Sequence, residues 1–173
     1  MKIQPKILLP FSLTLFILIS DQLTKLLVVQ NIPINTIGHT LFGGFLRIIH
    51  VRNLGIAFSM GDGLSNIFRI GLFIVLPLCV LTFMVFYYLR HTDITFLQRW
   101  IMTGILGGGL GNIIDRIFRT EGVVDFIDFK FYGILGMNRF PTFNIADMSV
   151  VICGFLLVVS FIIEERKKNE QES

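Results

Sequence analysis

Charge is what this 173-residue chain has least of. Only 16% of its residues are Asp, Glu, Lys or Arg, against roughly a quarter in an ordinary soluble domain. Cysteine is nearly absent too. Cys79 and Cys153 both lie deep in apolar runs, so neither a disulfide framework nor a thiolate metal site is expected. His39, His50 and His91 are scattered and no HExxH or CxxC occurs, which excludes the usual metal-dependent hydrolase patterns. There is no low-complexity stretch, no internal repeat and no second soluble domain. The first apolar run continues into "SDQLTKLL" without a small-residue cleavage pattern, so it is expected to stay as a span. A net charge of +3 calls for no nucleic-acid partner, because basic residues at membrane flanks account for it.

What the chain does have is apolar surface: 53% hydrophobic residues, including 18 phenylalanines. Several runs approach the ~20 residues that cross a bilayer. The expectation is an all-α membrane protein of one domain, 1–173. Its four transmembrane helices are placed at about 7–28, 67–89, 97–117 and 143–163. The connections at about 30–66 and 119–142 are expected to carry a small β element and an interfacial loop. "GFLRIIHVRN" reads as a short strand or hairpin, and "VVDFIDFKF" as a strand or a segment lying at the interface. Seven of the 15 Lys and Arg fall in the short segments 2–6, 90–99 and 166–168. The long connections carry basic residues more sparsely, so the termini are expected on the cytoplasmic side and both long connections outside.

Ionisable residues in hydrocarbon are costly, so their positions are informative. Asp21 and Lys25 gather with Asn112, Asp115, Arg116, Asp125, Asn144 and Asp147 toward one end of the bundle. Each has a plain structural reading. Asp21 and Lys25 are spaced as a helical ion pair, acid first. Gly104, Gly107, Gly108 and Gly111 form the small face by which membrane helices approach one another. Asn112, Asp115 and Arg116 suit an Asp–Arg arrangement orienting a neighbouring helix. Asn144 suits an N-cap, with Asp147 at the third helical position meeting the helix dipole. Asp128 and Glu121 read as solvated loop charges, although spacing alone does not choose Asp125 over Asp128.

The functional reading starts from two carboxylates meeting at a membrane rim. Like charges at short range cannot both ionise easily, so the pair shares a proton. An ionised member can then activate water while the protonated one polarises a scissile carbonyl, without metal, cofactor or nucleophilic serine. A serine–lysine arrangement fares worse, since Ser20 lies five residues from Lys25 on another part of the helix. A small ion carrier is disfavoured by the nearly charge-free remainder of the spans. A non-catalytic assembly subunit would explain the glycines but not the separated aspartates.

Five motifs in order carry a resemblance: "DQLTK" at 21–25, "NLGIAF" at 53–58, "GGGLGNIIDR" at 107–116, "VVDF" at 123–126 and "FNIAD" at 143–147. Through them the chain resembles the bacterial lipoprotein signal peptidases (signal peptidase II), intramembrane aspartic proteases. The resemblance implies removal of signal peptides from diacylglyceryl-modified prolipoproteins, on the amino side of the lipidated cysteine, in the bacterial cytoplasmic membrane near its outer face. It maps the catalytic pair to Asp125 and Asp147, choosing Asp125 over Asp128. Asp21, Lys25, Asn53, Gly108, Asn112, Asp115, Arg116 and Asn144 become supporting or substrate-binding positions, and no metal or cofactor is expected. It also implies that the 30–66 connection forms a sheet cradling the substrate. Membrane lipids are the other expected partner, with a monomer as the default state.

Overall fold

The computed structural model describes residues 5–55, 66–119 and 121–172. A short helix, α1 (Pro5–Leu8), turns at Leu9–Pro10 into the long α2 (Phe11–Asn31). Strands β1 (Ile37–Leu41) and β2 (Leu46–Asn53) follow. The second span is built from α3 (Asn66–Ile70), a π turn (Gly71–Val75) and α4 (Leu76–Arg90). Next come α5 (Phe96–Phe118), β3 (Val123–Phe129) and α6 (Ile145–Glu172).

Three helices, Lys6–Asn31, Ile67–Arg90 and Ile145–Gln171, are long and apolar enough to cross a membrane. Their outward residues are large and bare: Phe16, Phe83 and Phe155 are 68%, 68% and 69% exposed. In water such a surface would drive association; in a multi-pass membrane protein it meets lipid. The fourth expected span, α5, is 23 residues long but richer in glycine and polar groups. Its location explains that composition. Twelve of its residues are buried, because α2, α4 and α6 pack around it.

Glycines make that packing close. An added Cβ at Gly107 would lie 3.0 Å from the carbonyl oxygen of Thr14 in α2, and one at Gly108 would collide with the carbonyl of Ala146 in α6. The small-face expectation therefore holds on two sides of α5. At the N-terminus of α5, Thr95 accepts from the Gln98 backbone N–H while the Gln98 side chain accepts from Thr95, a capping box.

The β element is a three-stranded antiparallel sheet in the order β1–β2–β3. Its third strand comes from the second long connection, so the sheet is not confined to 30–66. Successive β3 side chains point to opposite faces. Val124 and Phe126 pack on Val28 and Ile32 at the C-terminal end of α2. This pins the sheet to the bundle at the end where α2 and α5 finish and α6 begins.

Candidate active site

The opposite parity of β3 sends Val123, Asp125 and Phe129 into a cavity of about 360 Å³. The chain then loops back. Phe143 N–H donates to the Ile127 carbonyl at 3.1 Å, and the Phe143 carbonyl accepts from Ile127 N–H at 2.8 Å. This antiparallel return delivers Asn144, the N-cap of α6, beside Asp125. Asp147 lines the same cavity.

Asn144 connects the two carboxylates. Its side-chain Nδ2 donates to Asp125 Oδ1 at 2.8 Å, and its backbone N–H donates to Asp147 Oδ2 at 3.1 Å. Its own Oδ1 accepts from Asp147 N–H at 2.9 Å. Asp147 is thus the third residue of a reciprocal cap, as the helix-start reading expects. Asn112 Nδ2 donates to Asp147 Oδ1 at 2.7 Å, and Asn53 Nδ2 donates to Asp125 Oδ2 at 3.0 Å. Burial, together with the negative charge of Asp147, pushes the Asp125 carboxyl up to about 7, against the hydrogen bonds from Asn53 and Asn144 and the positive charge of Lys25.

Behind the pair lies a fully buried hub. Lys25 Nζ reaches Asp21 Oδ2 at 2.8 Å, Asp115 Oδ2 at 3.0 Å and Asn112 Oδ1 at 3.0 Å, satisfying all three ammonium donors. Each arm leads to the site. Asp21 Oδ1 accepts from Ala146 N–H at 3.0 Å, holding the first turn of α6. Asp115 Oδ2 accepts from Val124 N–H at 3.3 Å, next to Asp125. Asn112 holds Asp147 directly. The Asp21–Lys25 pair therefore extends across three helices and a strand.

Two expectations need correction. Asp128 is not a solvated charge: it is 5% exposed, and both its oxygens accept from Arg139 Nε at 2.6 Å. Strand alternation turns it away from Asp125, where it ties β3 to the return loop. Glu121 is exposed as expected. Asp115 and Arg116, read as one orienting arrangement, instead work apart. Asp115 pairs with Lys25 and with Arg119 Nε at 3.0 Å, whereas Arg116 lines the cavity. Of "NLGIAF", residues 56–58 lie outside the described residues.

Gln22 and Arg119 also belong to the network without having been singled out. Gln22 Nε2 contacts Asp21 Oδ2, the Gly111 carbonyl and Asp115 Oδ1 at 3.1–3.2 Å. Arg119 follows Asp115 by four residues, a spacing that marks a helical pair; Gln22 carries no comparable signal. Among the described residues no cluster of three His, Cys, Asp or Glu could hold a metal ion. The cavity wall on α6 includes Val151 and Ile152, which are 69% and 52% exposed. Its apolar side therefore opens onto the surface that meets lipid.

The comparisons with known proteins agree with one another. Residues 13–163 match the family described as signal peptidase (SPase) II. The lipoprotein signal peptidase of Treponema pallidum (strain Nichols) is 44% identical over 172 residues, spanning 99% of this chain and 92% of that protein. That of Treponema denticola is 48% identical over 162 residues, 94% of this chain and 93% of that protein. Among solved structures, a bacterial membrane enzyme determined by the in meso method at 2.3 Å superposes with a TM-score of 0.78 at 28% identity, covering 92% of this chain and 90% of its own.

Proposed function

The chain belongs to the signal peptidase II family, whose members cleave signal peptides from prolipoproteins, and from that premise we propose an aspartic mechanism run by Asp125 and Asp147. The observation that carries it is Asn144, which binds one carboxylate by its side chain and the other by its backbone. The two acids thereby share a cavity with an apolar wall on α6.

In this reading Asp125 holds the proton and Asp147 is the ionised base. Asp147 suits that role because it accepts from the Asn144 N–H at the positive end of α6 and from Asn112. Water in the cavity gives a proton to Asp147 and attacks the scissile carbonyl, while Asp125 gives its proton to the carbonyl oxygen. The neutral tetrahedral diol collapses as a hydroxyl proton returns to Asp125 and the Asp147 proton passes to the leaving nitrogen. The C–N bond breaks, one water is consumed, and both carboxyls regain their starting states. Arg116 on the cavity wall is suited to hold substrate backbone oxygens.

The substrate is a prolipoprotein whose cysteine already carries diacylglycerol, cut on the amino side of that cysteine. The apolar cavity wall suits a substrate arriving from lipid, and basic residues at the termini suit a cytoplasmic placement with the site near the outer face of the cytoplasmic membrane. The test is a gel-shift assay in detergent with chelator present, comparing a diacylglyceryl-modified precursor with its unlipidated twin. Wild type should cut only the lipidated form, and Asp147→Asn should cut neither. Cleavage retained by well-folded Asp147→Asn would remove the dyad; indifference to the lipid would remove the substrate assignment.

A further inference from the structure

Phe73 is the buried residue of the π turn Gly71–Val75. Its neighbours Phe68, Ile70, Leu72 and Val75 are all exposed. The helix period does not by itself bury it. Leu81 and Tyr88, the buried residues of α4, are seven apart; at about 100° per residue a step of seven returns within about 20° of its start. Phe73 precedes Leu81 by eight, which in an uninterrupted α-helix would leave it about 80° off that line. A π turn accommodates one extra residue, and the part of it between Phe73 and Leu81 swings Phe73 back toward the inward line.

What the ring meets there is Arg116, whose Cζ lies 5.6 Å from the ring centroid. Among the described residues the other contacts of that guanidinium are sparse. Nη2 donates to the Gly55 carbonyl at 3.2 Å, Nη1 reaches the Asn112 carbonyl only at 3.5 Å, and buried Nε has no hydrogen-bond partner among the described residues. An aromatic face holds a cation without occupying any of its N–H groups. A carboxylate partner in the same place would fix the charge and consume the donors.

We propose that Phe73 is a positioning residue for the reaction: its ring holds the Arg116 guanidinium at the cavity wall beside Asp125 and Asp147, with N–H donors left free for substrate. This rests on the function proposed above. The extra residue of the second span is then the device that aims Phe73 at Arg116.

The test replaces Phe73 in the full-length protein with phenylalanines carrying one, three or five ring fluorines. These keep its shape while progressively removing the negative face of the ring. Turnover of the diacylglyceryl-modified precursor should fall stepwise, by about tenfold in the pentafluoro form, and Phe73→Leu should fall as far. A second readout needs no turnover: the 13C titration of the Asp125 carboxyl, assigned by its loss in Asp125→Asn. The charges acting on that carboxyl are Asp147 from α6 and Lys25 from α2, with Arg116 from α5 beside it on the cavity wall. If the guanidinium loses its seat, its positive charge recedes and the midpoint moves to higher pH. An unmoved midpoint in the pentafluoro form overturns the proposal whatever the turnover, because a purely steric role predicts no movement. If wild type cleaves neither precursor, the proposed function fails, while the titration still decides the role of Phe73.

Discussion

The two ends of the bundle both bury polar side chains, and they do so to opposite effect. At the end away from the sheet, Arg99 donates to the carbonyls of Tyr88 and His91 at 3.0 and 2.9 Å and lies over the Tyr88 ring. It thereby caps the last turn of α4. Gln98 completes the cap of α5 and donates to Glu164 Oε2 at 2.8 Å. A hollow of about 260 Å³ exists there too, so emptiness does not separate the ends. The difference is saturation. Buried Arg99 and Gln98 spend their capacity on helix termini and on Glu164, and the other charges lining the far hollow, Asp93, Glu165 and Lys168, are exposed. The sheet end instead turns two carboxylates and a guanidinium sparsely bonded among the described residues toward a cavity. Buried polar groups that satisfy one another hold a fold; those that leave charge facing a hollow can do chemistry.

The sharpest way to break that comparison is one isosteric change at each end. Asp125→Asn should lower turnover at least about a thousandfold, the scale of a lost proton-transfer group, with insertion and folding intact. Glu164→Gln, which keeps a hydrogen-bonding partner for Gln98, should leave turnover within about threefold. Comparable losses in a precursor-cleavage assay would make both ends structural, and the distinction drawn from saturation would fail.

A second contrast concerns stability. Lys25→Met leaves Asp21 and Asp115 buried without their shared cation, and breaking such an arrangement costs about 3–5 kcal/mol. Arg99→Met removes donors from two helix-end carbonyls, for about 1–3 kcal/mol. Unfolding in detergent should rank them in that order. The reverse order would show that the hub is less demanding than its burial implies.

The parts of this arrangement that were legible in sequence are the local ones. Apolar runs located the long helices, the four-residue step paired Asp21 with Lys25, and Asn144 three residues before Asp147 announced a cap that α6 does have. What period alone does not carry is register between distant segments. Nothing in "VVDFIDF" says that it pairs with β2, or that Asp115 lies beside Lys25, 90 positions earlier in the chain. Alternation does separate Asp125 from Asp128, but only the packing of Val124 and Phe126 on α2 decides which parity faces the cavity. The π turn was equally hidden, since one extra residue in a uniformly apolar helix leaves no mark on composition.

Asp128 tests that parity argument with a smaller effect. Asp128→Asn weakens the tie to Arg139, a pair whose members are 7% and 25% exposed. The stability loss should be about 1–3 kcal/mol, with turnover reduced only a few-fold. A turnover loss matching that of Asp125→Asn would mean that both faces of β3 serve the chemistry.

The last effect is a slope, small per pH unit, and it bears on where the proton sits. The folded protein raises the Asp125 carboxyl from its ordinary value of 3.8 to about 7, so between those values the folded state binds a proton that the unfolded chain has released. The contribution to stability is fully present below about pH 4 and is lost as pH rises through 7. Over that window wild type should lose stability relative to Asp125→Asn, by at most about 1.4 kcal/mol per pH unit, and the difference should flatten above it. Over the same range turnover should decline above pH 7, as the pair gives up the proton that polarises the carbonyl. Unfolding midpoints of the two proteins at pH 4, 5.5, 7 and 8 measure the first effect, and initial cleavage rates measure the second. A flat difference would mean that Asp125 is ionised throughout. Asp147 would then have to hold the proton, despite accepting from the Asn144 N–H at the positive end of α6, and the roles of acid and base would exchange.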